Sequence, residues 1–298
     1  RKGHTLGVVG ESGSGKSVGF LTVMGLITAR QARIEGEIIF KGRDLLKLPV
    51  EEMRHIRGKE MGMVFQDPMT SLHPMYRIGY QIAEAVRAHG HVPKKVAAQM
   101  AVDLLRKVGI PKPEESARRF PHEFSGGMRQ RAMIAMALVL NPDLLIADEP
   151  TTALDVTVQA QIMSLLAELQ QQTGMGLILI THDLGVVAEV ADNVVVMYAG
   201  REVEKGPSLP VYHRPAHPYT MGLMDSLPRR DVHTARLHPI KGSPPDLLAI
   251  PSGCPFRPRC PHAQELCARE EPPLAAVSED RVSACHFWEE VSRERAGA

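Results

Sequence analysis

The sequence predicts an α/β protein of the phosphate-loop type, with a helical subdomain inserted between strands and a small irregular C-terminal domain that contains all the cysteines. Three observations carry this prediction. A Gly-rich turn at residues 10–17 lies between an apolar run and a helix-forming segment. Short continuous apolar runs recur at Leu144–Ala147, Leu177–Thr181 and Val194–Tyr198, as expected of strands covered on both faces. After Gly206 prolines become dense, periodicity fades, and Cys254, Cys260, Cys267 and Cys285 appear.

The elements follow in order. Leu6–Val9 reads as a strand, Ser17–Ile27 as a helix, Gly36–Lys41 as a strand before a turn at residues 42–44, and Met61–Phe65 as a strand. Tyr76–His89 and Pro93–Val108 carry apolar residues at three- and four-residue spacing, the pattern of amphipathic helices. They define a helical subdomain over about residues 67–130. Met133–Leu140 reads as a buried helix and Val156–Gln171 as another. The domain plan is an α/β domain over residues 1–205, a linker over 206–230, and a Cys-containing extension over 231–298.

Composition narrows the function. The 298 residues hold 35 basic and 34 acidic side chains, a formal charge of +1, which disfavours a protein that binds nucleic acid by neutralising phosphates. No apolar run reaches the roughly 18–20 residues that cross a bilayer, so any membrane role passes through partner subunits. The chain opens on Arg1-Lys2-Gly3-His4, with only nine residues before the Gly-rich turn, and reads as a truncated native sequence.

Gly10-Glu11-Ser12-Gly13-Ser14-Gly15-Lys16-Ser17 fits G-x-x-x-x-G-K-[ST]. Glycines let successive N–H groups point inward at phosphate oxygens, and the following helix adds its positive end. Lys16 is expected at the β- and γ-phosphates and the Ser17 hydroxyl on Mg²⁺. Leu144–Ala147 delivers Asp148 and Glu149 at a strand end, where open α/β sheets bind ligands. Asp148 is expected to hold Mg²⁺ and Glu149 to polarise the attacking water.

Phe124-Ser125-Gly126-Gly127-Met128-Arg129-Gln130, upstream of the Asp148-Glu149 strand, resembles the signature motif of the ABC ATPases. Gln66 matches that family's Q-loop glutamine, Ala153-Leu154-Asp155 its D-loop, and His182 its switch histidine. The resemblance implies an ABC nucleotide-binding domain that binds and hydrolyses ATP with Mg²⁺. Ser125, Gly126, Gly127 and Asp155 would act at nucleotide held by a second subunit. Gln66 would sense the γ-phosphate and reach the metal, and His182 would bond the γ-phosphate in the transition state.

The resemblance narrows further. Residues 66–74 (Gln-Asp-Pro-Met-Thr-Ser-Leu-His-Pro) are similar to the long Q-loop of the dipeptide/oligopeptide/nickel importer ATPases, with His73 where that group has Asn. Residues 149–157, His217-Pro218-Tyr219-Thr220, and the run from Gly253 to Pro261 with Cys267 and Cys285 also match that group, and most closely the D-type ATPase subunit of dipeptide permeases. What this implies is a motor at the cytoplasmic face of the inner membrane, driving uptake of di- and oligopeptides. Its partners would be a second, different ATPase subunit, two permease subunits and a substrate-binding protein. A nickel or glutathione importer is an alternative cargo assignment, and a soluble ABC ATPase of DNA repair or translation is the rival class. The family's adenine-stacking aromatic residue and leading strands are expected upstream of residue 1.

The four cysteines keep three readings: free thiols, a zinc site, or a [4Fe–4S] cluster. The spacing is not the C-x₂-C of zinc ribbons, and Pro follows both Cys254 and Cys260, which favours the cluster. The family resemblance adds to it. His262 and His286 are substitute-ligand candidates or bystanders.

Overall fold

The computed structural model describes residues 2–27, 30, 32–226 and 240–296. They form two compact units, one of residues 1–4 and 18–178 and the other of residues 5–17 and 179–298. This division does not follow the expected boundary at residue 206. Among the described residues no helix is long and apolar enough to cross a membrane.

In the first unit, strand Met61–Val64 pairs in parallel with strand Leu144–Asp148, Met61 opposite Leu144 and Val64 opposite Ala147. Met61–Val64 is buried throughout and Leu144–Asp148 from Leu145 onward, as expected of strands covered on both faces. The expected strand over residues 36–41 is reduced to Ile39–Phe40, hairpinned with Arg43–Asp44. Helix Val50–Ile56, not anticipated, buries Met53 and Ile56. The inserted helices are Ile78–Arg87 and Lys94–Lys107, close to their periodic segments. Ile78, Ile82 and Val86 recur every fourth residue, as do Ala97, Ala101 and Leu105, and all six are buried. Small alanines at the second set let the two helices approach closely. Helix Gly126–Leu138 extends beyond the expected edge of the insertion at residue 130.

In the second unit, strand Thr5–Val9 pairs in parallel with Asn193–Tyr198, which pairs antiparallel with Arg201–Pro207. Arg201–Pro207 then accepts Arg281–Ser283, and Arg281–Ser283 accepts Ala275–Ser278. The C-terminal extension is thus continuous with a sheet that starts at residue 5. The expected linker over 206–230 is folded as far as residue 226: helices Ser208–His213 and Pro218–Asp225 bury Val211, Tyr219 and Met224. Proline density was misleading here, because Pro218 occupies a first-turn position where its missing N–H costs nothing. Residues 227–239, which include the start of the expected extension, lie outside the described residues.

A buried ion pair fastens the added strands. Arg281 Nη2 donates to Glu204 Oε1 at 2.6 Å, and the two side chains are 7 % and 0 % exposed. Glu204 also accepts from the backbone N–H groups of Ala216 and His217. Burial pushes the Glu204 carboxyl up from its ordinary value, and the Arg281 charge opposes this. Arg281→Met should therefore destabilise the chain by about 3–5 kcal/mol at neutral pH, because it strands a buried carboxylate. Removing the cation raises the folded-state pKa of Glu204 above its native, already elevated, value, so the penalty grows as pH rises through that native pKa and fades below it. Urea unfolding midpoints of both proteins across this range would show it. An equal midpoint at neutral pH would rule out a structural role for the pair.

Candidate nucleotide site

The phosphate loop belongs wholly to the second unit. Strand Thr5–Val9 delivers Gly10, where φ is +156° and an added Cβ would lie 2.3 Å from the Met197 carbonyl oxygen. Only glycine fits there. Gly13 and Gly15 also have positive φ, Ser12 and Gly13 are exposed, and Ser14 is buried. Lys16 and Ser17 open the helix Lys16–Val23. Lys16 is buried, and its Nζ donates to the Gly10 carbonyl at 2.7 Å, the Glu11 carbonyl at 3.0 Å and Ser14 Oγ at 3.4 Å. These bonds hold the ammonium inside the curl of the loop, where a phosphate would meet it.

Glu11 departs from expectation. Its N–H donates to the Tyr219 hydroxyl at 2.7 Å, and its carboxylate takes a two-pronged contact from Arg259, Nη1 at 2.6 Å and Nη2 at 2.9 Å. Both groups of Glu11 are thus engaged within the chain. The Glu11 hydrogen bonds hold the Arg259 guanidinium further above its ordinary value, overcoming burial. Nothing local in sequence marks Tyr219 or Arg259 as belonging to the loop.

In the first unit, Gln66 follows strand Met61–Val64 and Glu149 follows strand Leu144–Asp148, and the parallel pairing brings them together. Gln66 Nε2 donates to Glu149 Oε2 at 3.1 Å, and Thr152 Oγ1 donates to the same oxygen at 2.8 Å. Glu149 has φ of +44°, a strained backbone for a non-glycine residue, and such strain concentrates at functional positions. Asp148 is 4 % exposed at the strand end, a hard oxygen donor of the kind Mg²⁺ accepts.

Ser125 is the N-cap of helix Gly126–Leu138, its hydroxyl accepting from the Met128 N–H at 3.3 Å. A Cβ on Gly127 would fall 2.9 Å from Val158 Cγ1, so close packing requires a glycine there as well. Asp155 caps helix Val156–Thr173, accepting from the Val158 N–H at 2.9 Å. His182 is exposed just after strand Gly176–Thr181, in the second unit.

The four cysteines meet. Cys254, Cys260, Cys267 and Cys285 line one cavity of about 10 Å³, room for about one water, together with Phe256, Pro272 and Phe287. Backbone N–H groups two residues on, at Phe256, His262 and Phe287, point at the sulfurs of Cys254, Cys260 and Cys285. Such donors suit thiolate ligands. Burial pushes the Cys254 thiol up, Cys260 to about 11 and Cys285 to about 12, which keeps them protonated without a metal. As these side chains stand, no three His, Cys, Asp or Glu among the described residues form a metal-ion set.

A phosphate loop, a strand ending in Asp-Glu and a Ser-capped Gly-Gly helix together define an ATP-binding cassette. Residues 1–152 match the family described as ABC transporter, and residues 203–267 match the oligopeptide/dipeptide transporter C-terminal region. The oligopeptide transport ATP-binding protein OppD of Salmonella typhimurium is 53 % identical over 96 % of this chain and 84 % of its own. The dipeptide transport ATP-binding protein DppD of Bacillus subtilis is 51 % identical over 95 % of this chain and 85 % of its own. A dimeric post-hydrolysis ATP-binding cassette, MJ0796 bound to ADP and Pi, superposes with a TM-score of 0.62 at 27 % identity, covering 70 % of this chain and 87 % of that one. The chain belongs to the ABC transporter family, among the ATP-binding proteins that carry the oligopeptide/dipeptide C-terminal region.

Proposed function

We propose that this chain is the ATP-binding and ATP-hydrolysing motor subunit of an importer of di- and oligopeptides. The observation that carries this reading is 53 % identity to an oligopeptide transport ATP-binding protein over 96 % of the chain, with every ATPase motif present. Lys16 and the N–H groups of Gly13, Ser14, Gly15, Lys16 and Ser17 bind the phosphates. By the family resemblance Ser17, Gln66 and Asp148 would be the Mg²⁺ ligands, and the metal would offset the phosphate charge. Glu149, steadied by Gln66 and Thr152, orients the attacking water, and His182 bonds the γ-phosphate. Ser125, Gly126, Gly127 and Asp155 serve nucleotide on a second, different ATPase subunit.

Two permease subunits at the cytoplasmic face of the inner membrane are the proposed load, fed by a substrate-binding protein. The segment after Gln66 supports such docking. Met69, Met75, Tyr76 and Tyr80 are all at least half-exposed or nearly so, and the Tyr76 ring sits 4.6 Å from His73 and 5.2 Å from Tyr80. Apolar residues left exposed in one short segment suit a protein partner.

The four thiols are assigned a [4Fe–4S] cluster, with zinc as the competing occupant. Their convergence on one cavity and the N–H donors aimed at three sulfurs support it. Cys254, Cys260, Cys267 and Cys285 would hold the cluster, which would supply folding energy to the extension and no step of hydrolysis.

The test is the ATPase rate of the assembled transporter in lipid. A di- or oligopeptide with its binding protein should raise the rate several-fold, and Lys16→Ala should abolish it. Stimulation by nickel or glutathione in place of peptide would overturn the cargo.

A further inference from the structure

The phosphate loop carries a carboxylate at Glu11, in a segment that must receive the several negative charges of ATP. Left facing the site, that carboxylate would repel the ligand. The structure gives it a dedicated partner 248 residues away in sequence. Arg259 uses both Nη atoms on Glu11 and its Nε on the Lys241 carbonyl at 3.0 Å. Its guanidinium lies 5.8 Å from the Tyr198 ring centre and 6.0 Å from that of Phe256, and its side chain is 5 % exposed. Bidentate geometry and ring packing leave the guanidinium little freedom.

A second support comes from Tyr219, fully buried, whose hydroxyl takes the Glu11 N–H. Its ring packs against Tyr198 and Phe256 at 4.7 Å and 5.4 Å. Burial brings His217 down to about 3, so its neutral ring accepts the Tyr219 N–H at Nδ1 and fixes the start of that helix. The residues 217–220 and 254–260, which the ATPase motifs alone leave without a task, therefore converge on one loop residue.

We propose that Arg259 and Tyr219 are positioning residues of the phosphate loop: they turn the Glu11 carboxylate away from the nucleotide and neutralise it, so that the C-terminal extension sets the affinity for ATP. Cys260 directly follows Arg259, so the loop that bears the thiols also bears the clamp. The proposal rests on the reading of residues 10–17 as an ATP site.

The test measures the dissociation constant of the full chain for a fluorescent ATP analogue, beside the melting temperature of the nucleotide-free chain. Arg259→Gln should weaken binding about tenfold, since it leaves Glu11 charged and free to swing. Arg259→Lys, which keeps the charge but loses the fork, should lie between and serves if the Gln variant fails to fold. The decisive variant is Glu11→Gln combined with Arg259→Gln. Removing the carboxylate as well should restore most of the affinity, although the clamp is still gone. A merely structural role for Arg259 would lower the melting temperature without that rescue. An unchanged constant in Arg259→Gln and Arg259→Lys, or a double variant no better than Arg259→Gln, would overturn the proposal alone. A native chain that binds no ATP, or binds it equally well as Lys16→Ala, would overturn the ATPase reading and this proposal with it.

Discussion

Glu149→Gln lowers the ATPase rate of the assembled transporter by about a hundredfold or more, roughly 2.7 kcal/mol of barrier, while ATP still binds. The substitution is close to isosteric. Its amide oxygen can still accept from Gln66 Nε2 and Thr152 Oγ1, the two bonds that now hold Glu149 Oε2 at 3.1 and 2.8 Å. What disappears is the negative charge that draws a proton from the attacking water. Lys16 and its loop are untouched, so affinity should stay within a few-fold of native. Steady-state hydrolysis measured beside equilibrium nucleotide binding separates the two effects. Hydrolysis near the native rate would remove Glu149 from its assigned role, and a parallel loss of binding would mean that the change disturbs the fold.

Legibility in the sequence followed how local each feature is. The strand–turn–helix at residues 5–23 and the helices Ile78–Arg87 and Lys94–Lys107 were readable, because glycine placement and four-residue periodicity are short-range signals. Gln66 and Glu149 were each readable, whereas their contact depends on the register of two strands 83 residues apart. The hairpin Ala275–Ser278 with Arg281–Ser283 was missed for the opposite reason. It is short and half-polar, and becomes a strand pair only by adding to Arg201–Pro207. Tyr219 and Arg259 were counted within family motifs, yet their attachment to Glu11 has no local correlate. Glu11 sits within the phosphate-loop pattern, and only its distant partners distinguish it from its neighbours. Helices within 206–226 hid behind proline density, a compositional cue that does not distinguish a loop from a capped helix start.

Under the proposed cluster assignment, replacing any one of Cys254, Cys260, Cys267 or Cys285 by Ser should remove the metal altogether. Native protein purified without oxygen should be brown and contain about four irons per chain. The four thiols line one cavity, and under the cluster assignment Ser would not replace a soft thiolate ligand. Two features make the loss felt beyond the site. The Cys254 N–H donates to the Cys267 carbonyl at 2.8 Å, so two of the four ligands are also joined through the backbone. Burial holds Cys260 and Cys285 near 11 and 12, so without metal the pocket reverts to neutral thiols that repel nothing and bind nothing together. Proteolysis should then open the segment around residues 250–270 first, while the strands Thr5–Val9 and Asn193–Tyr198 stay protected. Nucleotide binding through Lys16 should persist at reduced affinity, because Arg259 loses its anchorage when the loop next to Cys260 loosens. Metal analysis of the anaerobic protein decides the matter. Stoichiometric zinc without iron would replace the cluster with a zinc site, and retention of full metal content by any of the four variants would remove that cysteine from the ligand set.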